Sequence, residues 1–293
     1  MRKPDFIIIG CQKAGTTWLW GMLDQHPDTD LPNKKEIHYF GGSEMHAKGR
    51  DWYYDYFRDL DDTKITGEAS TTYYYDYVPY WHNESSKIEF DDSLPPIPEM
   101  IKEEMPDVKI IISLRDPVDR AISAYHHWLK KNSDLSPFWG LKKTAQELPK
   151  MRILEYGFYA KYLEFWLKYF DKENIHVSIF EEDVIKNPDA AIRELYSFLE
   201  LDTDFQPSQV RDRKNKSWTW TRVVARYGMK KIPVLAENQR LGRFIDRHDI
   251  LKNKSIKKED IEFLRSHYLP EKEKLESLLS RKLDIWSYGE KYL

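Results

Sequence analysis

A strand, a glycine loop and a helix near the start of the chain constrain its fold more than any other feature. Residues 6–9 are apolar and three of them are β-branched, which is typical of a buried parallel strand. A loop with two glycines follows, and apolar side chains recur at helical spacing from Trp18 onward. In this geometry the loop N–H groups and the positive end of the helix converge on an anion. The sequence therefore predicts a phosphate-binding cradle.

The cradle has the glycine spacing of a Walker A loop but lacks the lysine of that motif. Gly10 and Gly15 stand at the expected positions, whereas Thr16 occupies the lysine position of GxxxxGK[ST]. Thr16 and Thr17 offer hydroxyl groups to a phosphate, and Lys13, inside the loop, can reach a different oxygen. For the loop taken alone, a glycine turn in some other α/β protein stays open as an alternative.

A second predicted strand, followed by the start of a helix, provides another candidate anion-binding site. Residues 108–114 predict a buried strand, and Pro117 fits the first position of a helix capped by Asp116. Arg115 therefore lies at the carboxyl edge, where open parallel sheets bind ligands. Its planar guanidinium suits a phosphate, and Ser123 on the following helix adds a hydroxyl group.

Strands that alternate with helices predict a three-layer α/β sandwich around a mostly parallel sheet. Further strands are predicted at residues 65–68 and 175–180. Helices are predicted at residues 18–23, 52–57, 100–105, 117–129, 158–170, 190–199, 257–269 and 271–279. Residues 221–254 carry more basic than acidic side chains. A solvated helical face is the favoured interpretation there, and a helical flap over an acceptor is the alternative.

Length and composition favour one domain over residues 1–293 rather than two small ones. Of the 293 residues, 41% are hydrophobic and 32% are charged, which suits one sizeable core. The net charge of −3 gives no indication of nucleic-acid binding, and no leader or transmembrane run is evident. The single cysteine, Cys11, cannot form an intrachain disulfide, so we expect a cytoplasmic protein. The oligomeric state is open.

Together, the two anion-binding segments resemble those of sulfotransferases that use 3′-phosphoadenosine 5′-phosphosulfate (PAPS). The 5′-phosphosulfate loop of that family has the pattern KxGTT, which stands here at residues 13–17. Its 3′-phosphate is held by an arginine after a strand and a serine on the next helix, which match Arg115 and Ser123. The resemblance covers most of the chain and is closest to the heparan-sulfate-type branch and its bacterial relatives. Shorter matches lie at residues 67–70, 157–160, 163, 166, 187–188 and 268–270.

The resemblance implies roles for individual residues. Lys13 would neutralise charge on the leaving 5′-phosphate, and Glu36 would be the base that takes the acceptor proton, a role for which a raised pKa is expected. His38 is the second candidate base, and His127 matches a histidine that faces the acceptor in some members. The implied nucleotide-binding residues are Lys13, Ala14, Gly15, Thr16, Thr17, Trp18, Arg115, Ser123, Lys214, Lys216 and Ser217.

Two departures from the family pattern limit what can be carried over. Some members have a lysine directly after the glutamate of the second strand, where this chain has Ala69, so any sulfate contact of that lysine is lost. The animal enzymes also carry a late disulfide loop, which a single cysteine cannot form. The acceptor is therefore open, and a carbohydrate, a lipid-like alcohol and a small alcohol are all compatible with the sequence.

Two other functions stay open at this stage. A P-loop-type nucleotide kinase is disfavoured by the missing lysine of GK[ST] and by the lack of a plausible Walker B aspartate after an apolar run. A non-catalytic module would bind adenosine 3′,5′-bisphosphate (PAP), the product of PAPS, without transferring sulfate. We expect no metal requirement, because no His/Cys cluster has the spacing of metal ligands.

Overall fold

A parallel sheet lies at the centre of the computed structural model, which describes residues 1–79, 89–131, 135–136, 138–208, 227–228 and 256–293. Among these residues the strands are β1 (Phe6–Gly10), β2 (Gly67–Ala69), β3 (Lys109–Leu114) and β4 (Ile175–Ile179). They are arranged in the order β2-β1-β3-β4, and every pairing is parallel. The predicted strands are confirmed, although β2 begins two residues later than expected.

Helices connect the strands and cover both faces of the sheet. Within the described ranges they are α1 (Thr16–Leu23), α2 (Ser43–His46), α3 (Arg50–Tyr54), α4 (Ile97–Glu104), α5 (Pro117–Lys131), α6 (Leu141–Glu147), α7 (Tyr159–Trp166), α8 (Pro188–Phe198), α9 (Lys258–Tyr268) and α10 (Lys272–Leu279). The short helices α2 and α6 were not predicted, and α7 is shorter than the predicted helix at residues 158–170. The predicted helices at residues 257–269 and 271–279 are confirmed, and the 3₁₀ turn Leu269–Glu271, which contains Pro270, lies between them.

The alternating side chains of β1 divide between two cores, one on each face of the sheet. Phe6 and Ile8 lie in the smaller core, which also contains residues of α1 and α8. Ile7 and Ile9 lie in the larger core, to which α3, α4, α5, α7, α9 and α10 contribute. Burial on both faces explains why the strand reads as an uninterrupted apolar run rather than an alternating one. The predicted three-layer α/β sandwich is confirmed.

The topology brings the glycine loop and the start of α5 to the same edge of the sheet. β1 and β3 are neighbours, and the N–H of Cys11 donates to the carbonyl of Ser113 at 2.8 Å just beyond the end of β1. The carboxyl ends of these strands therefore present the loop and Arg115 side by side.

No helix in the described part of the chain is long and apolar enough to cross a membrane. That residues 1–293 form a single domain stays a prediction.

Candidate active site

The cradle predicted from the glycine loop closes onto the start of α1. Gly15 is the N-cap residue of α1 with φ +98°, and its carbonyl accepts the N–H of Trp18 at 2.8 Å. Lys13 also has a left-handed backbone, with φ +69°. A Cβ at position 15 would lie 2.6 Å from Cδ2 of Phe180, so this turn needs glycine for space as well as for its dihedral angle.

Replacement of Gly15 by alanine is expected to destabilise the protein more than the same change at Gly49. Both glycines have positive φ, at +98° and +84°, but a Cβ at Gly49 meets nothing within 4 Å. Gly49 combines its positive φ with ψ 166°, so Gly49→Ala should cost backbone strain alone, about 1–3 kcal/mol. Gly15 is left-handed, with ψ 8°, so Gly15→Ala should cost about 1–2 kcal/mol of strain and a further ~1–3 kcal/mol for the clash with Phe180. Denaturant unfolding of the two variants measures both losses, and a loss in Gly15→Ala no larger than the ~1–2 kcal/mol of left-handed strain would contradict the clash.

Arg115 connects the start of α5 to the cradle. Its Nη1 donates to the carbonyl of Lys13 at 3.3 Å, and its Cζ lies 5.1 Å from the ring centroid of Phe180. One residue before the end of β3, the hydroxyl of Ser113 donates to the carbonyl of Ala14 at 2.5 Å. The two predicted anion-binding segments are therefore in direct contact. Arg115 Nε is buried and lacks a hydrogen-bond partner in the structure.

A carboxylate that the sequence analysis missed holds the Arg115 segment in place. Glu181 Oε1 lies 3.7 Å from Arg115 Nε, and the same carboxylate accepts the N–H of Asp116 at 3.2 Å and the indole N–H of Trp286 at 2.9 Å. Burial raises the pKa of Glu181, although these donors and Arg115 favour its ionised form. Its position directly after β4, at the carboxyl edge of the sheet, was the signal that could have identified it.

Helix α5 carries two predicted site residues on one face. Ser123 and His127 are four residues apart on the helix, so their side chains point the same way. Burial and the charges of Lys13, Lys131 and Lys130 lower the pKa of His127 to about 4. His127 is therefore neutral at neutral pH.

Glu36 lies in an environment that favours its charged form. Its Oε2 is 3.5 Å from Nε2 of His38, and its Oε1 is 3.8 Å from Nζ of Lys35. Burial alone would raise the pKa of Glu36, but the hydrogen bond with His38 and the charge of Lys35 outweigh it, and the pKa is lowered. The expectation of a raised pKa is therefore wrong.

His38 is fixed by polar contacts on the side away from Glu36. Its Nδ1 lies 2.9 Å from Oγ1 of Thr72, and its backbone N–H donates to Oγ of Ser70 at 2.9 Å. The Ser70 hydroxyl in turn donates to the buried carboxylate of Glu68, whose pKa is raised by burial. His38 is thus held where its Nε2 faces Glu36, and Glu68, the glutamate of the second strand, supports that position through Ser70.

Lys35 is the residue at the cradle that the sequence analysis overlooked. Its ammonium group lies 3.3 Å from Oγ1 of Thr17 and 3.5 Å from Oγ1 of Thr16. Thr16 is buried and Thr17 is exposed, so Lys35 lies at the solvent-facing edge of the cradle. Burial lowers the pKa of Lys35, and the neighbouring Glu36 carboxylate opposes that shift. Its position next to Glu36 in sequence gave no indication that it would reach the threonines.

Lys214, Lys216 and Ser217 lie outside the described residues, as does the segment 221–254 apart from residues 227–228. The structure brings Arg115 to the cradle at the carbonyl of Lys13, and it brings Glu36 and His38 to the cradle through Lys35. In the described part of the chain, no group of three or more His, Cys, Asp or Glu side chains is arranged to hold a metal ion.

Comparisons with known proteins agree on one family. The family model for the sulfotransferase domain matches residues 3–274. The mouse protein heparan sulfate glucosamine 3-O-sulfotransferase 5 is 31% identical over 205 residues, which are 68% of this chain and 54% of the mouse protein. The bovine bifunctional heparan sulfate N-deacetylase/N-sulfotransferase 2 is 29% identical over 212 residues, 68% of this chain and 22% of that protein.

A solved structure extends the similarity to nearly the whole chain. The sulfotransferase from Alicyclobacillus acidocaldarius superimposes with a TM-score of 0.66 at 25% sequence identity, covering 98% of this chain and 99% of that one. By contrast, this chain spans about half the length of the mouse relative and about a fifth of the bovine one.

Proposed function

Because the chain belongs to the sulfotransferase domain family, we propose that it transfers the sulfuryl group of PAPS to a hydroxyl or amine of an acceptor. The observation that carries the proposal is the contact between the two anion-binding segments, in which Arg115 donates to the carbonyl of Lys13. A nucleotide with anionic groups on both its 5′ and 3′ positions needs two such segments close together. A nucleotide with only a 5′-phosphate needs the cradle alone.

The side chains around the cradle fit this co-substrate. Lys13, Lys35 and the hydroxyls of Thr16 and Thr17 supply positive charge and donors at one end. At the other end, the side chain of Arg115 is about a quarter exposed, and its planar guanidinium offers charge-assisted N–H donors to a 3′-phosphate. Ser123 adds a hydroxyl on the helix that follows Arg115.

In the proposed mechanism, the protein acts by positioning and by charge. Bound PAPS supplies an activated sulfuryl group, and transfer is an in-line displacement like that of a phosphoryl group. Thr16 and Thr17 hold the 5′-phosphate by their hydroxyls. Glu36 takes the proton of the acceptor hydroxyl as that oxygen bonds to sulfur, and Lys13 neutralises the charge left on the bridging oxygen.

The environment of Glu36 supports its choice as base over the two histidines. A carboxylate held by His38 and Lys35 is fully ionised at neutral pH and has no proton to lose first, although its lowered pKa makes it a weaker base than an ordinary glutamate. His38 faces Glu36 and is tied to Thr72, so it fits an orienting role, while His127 is neutral and approaches from α5. Either histidine is the alternative base.

We propose a carbohydrate acceptor, because relatives with similarity over two thirds of this chain are named as heparan sulfate sulfotransferases. A lipid-like or small alcohol is the alternative, since those relatives are longer proteins. Transfer from labelled PAPS to panels of glycans, lipids and small alcohols would decide the acceptor class.

A cytoplasmic location stays a prediction from the single cysteine, and the oligomeric state stays open.

Calorimetry with PAP and AMP tests the nucleotide assignment. We expect PAP to bind roughly 10- to 100-fold more tightly than AMP, because the 3′-phosphate gains charge-assisted hydrogen bonds from Arg115. Arg115→Ala should remove most of this difference. Arg58→Ala is the matched control, since Arg58 is an exposed arginine paired with Asp55.

Three outcomes would contradict parts of this proposal. Equal affinity of the parent protein for PAP and AMP would remove the role given to Arg115 and Ser123. Tight PAP binding without transfer to any acceptor would indicate a non-catalytic module. Magnesium-dependent phosphoryl transfer from ATP would indicate a kinase.

A further inference from the structure

We propose that Lys35 is a second cationic residue of the cradle and binds the 5′-phosphosulfate of the nucleotide, an inference that rests on the proposed function. The ammonium group lies within 3.5 Å of both threonine hydroxyls that are expected to hold the phosphate. An oxygen bound to both hydroxyls would therefore lie next to Lys35 as well. Lys35 would act on the reacting end of the nucleotide together with Lys13.

The donors and acceptors at this point leave room for an anion. An ammonium has three N–H donors and no acceptor, so Lys35 can only donate to Oγ1 of Thr16 and Thr17. Each threonine then uses a lone pair for Lys35 and keeps its own O–H proton free for another oxygen. Both hydroxyls are thereby oriented as donors toward an incoming phosphate beside the charge of Lys35, whose third N–H is left for the Glu36 carboxylate 3.8 Å away.

The position of Lys35 is fixed from the backbone. Its carbonyl accepts the N–H of Ala69 at 3.1 Å, which ties the loop to the end of β2 at the edge of the sheet. The side chain is only 20% exposed, and its ion-pair partner, Glu36, is 3.8 Å away and 42% exposed. An ammonium that is largely removed from water and faces two neutral hydroxyls gains from an anion at that place.

A purely structural role for Lys35, as a partner that keeps Glu36 charged, makes a different prediction. In that case the loss of Lys35 would affect Glu36 as the base. It would change the affinities for nucleotides with and without a 5′-phosphate to the same extent. The two roles are separated by comparing PAP with adenosine 3′-monophosphate, which lacks the 5′-phosphate, as ligands in the absence of any transfer.

The experiment is calorimetric titration of PAP and adenosine 3′-monophosphate into the parent protein and Lys35→Ala. We expect Lys35→Ala to weaken PAP binding roughly tenfold, the effect of one charge-assisted hydrogen bond, and to leave adenosine 3′-monophosphate within about twofold. Lys34→Ala is the matched control. Lys34 is the exposed neighbour whose ammonium lies over the rings of Trp52 and Tyr56, at 5.5 and 5.2 Å, so both affinities should stay at the parent values.

A second variant keeps the test decisive if Lys35→Ala folds poorly. Lys35→Gln retains a hydrogen-bond donor without the charge and should show the same selective loss of PAP affinity. Parent-like PAP binding in Lys35→Gln or Lys35→Ala would overturn the role of Lys35 and leave the proposed function intact. Equal weakening of both ligands would also overturn it, in favour of a structural role. Failure of the parent protein to bind PAP would overturn both proposals.

Discussion

Replacement of Glu36 by glutamine should slow single-turnover sulfuryl transfer by about 10²- to 10⁴-fold, the range that general-base catalysis supplies. Glutamine keeps the shape of the side chain and its hydrogen bonding, but it cannot take the acceptor proton. PAP affinity should stay within a few-fold of the parent, because Glu36 faces His38 and Lys35 rather than the Thr16 and Thr17 hydroxyls. Rapid-quench transfer and PAP calorimetry on the same preparation measure both quantities.

The controls for this variant separate the three candidate bases. Glu173→Gln changes an exposed glutamate on the 3₁₀ turn before β4 and should leave transfer unchanged. His38→Ala should lower transfer less than Glu36→Gln, since His38 orients the carboxylate and does not remove the proton. Nearly unchanged transfer in Glu36→Gln, together with a large loss in His38→Ala or His127→Ala, would move the base to that histidine.

The pH dependence of transfer provides a further check on Glu36. A lowered pKa means that the carboxylate stays ionised as pH falls, until the pH passes below the ordinary range of glutamate. The transfer rate of the parent protein should therefore stay level from neutral pH down to that range and decline only below it. A decline centred near pH 6.5, the ordinary pKa of histidine, would contradict Glu36 as the base. His127, with a pKa of about 4, is separated from Glu36 by His127→Ala rather than by the pH profile.

The strands and the layer arrangement could be predicted because local sequence determines them. The strands β1 and β3 contain continuous apolar runs, so side chains on both faces of the sheet must be buried. This burial requires helices on each face of the sheet. The short helices α2 and α6 could not be predicted in the same way. Each has at most seven residues, and α2 buries none of its side chains, so no apolar periodicity marked it.

The residues that the sequence analysis missed depend on contacts between distant parts of the chain. Lys35 reaches threonines that are 18 and 19 residues earlier, and Glu181 contacts the N–H of Asp116 across 65 residues. No spacing rule connects such positions before the fold is known. The resemblance directed attention to position 69, where some family members have a lysine and this chain has Ala69. In the structure, the neighbouring lysine is instead Lys35, whose backbone carbonyl accepts the N–H of Ala69.

The wrong expectation for Glu36 has a similar origin. A base in a partly closed cleft suggested a raised pKa, and burial does act in that direction. The sequence shows that Lys35 and His38 flank Glu36, but side chains one and two residues apart face its carboxylate only if the loop turns suitably. Here His38 has φ +63° and the loop brings both side chains within 4 Å of the carboxylate.

Replacement of Lys13 by alanine should lower the turnover number by about 10²- to 10³-fold, the usual effect of removing one preorganised group that stabilises developing charge. The backbone should tolerate the change, because alanine has the same Cβ in the left-handed conformation and the carbonyl that accepts from Arg115 is retained. Burial and the charges of Arg115, Lys130 and Lys131 lower the pKa of Lys13. The ammonium of Lys13 is therefore surrounded by other positive charges. The negative charge that develops on the leaving 5′-phosphate would offset their repulsion.

The division of this effect between kcat and KM identifies the role of Lys13. Negative charge grows on the bridging oxygen as the bond to sulfur breaks, so Lys13 should interact more strongly with the transition state than with bound PAPS. Steady-state kinetics of Lys13→Ala should show a large loss in kcat and a small change in the KM for PAPS, while Lys34→Ala shows neither. Lys13→Arg, which keeps the charge, should recover part of the loss. If only the KM for PAPS rises, Lys13 binds the ground state and the role proposed for it is wrong.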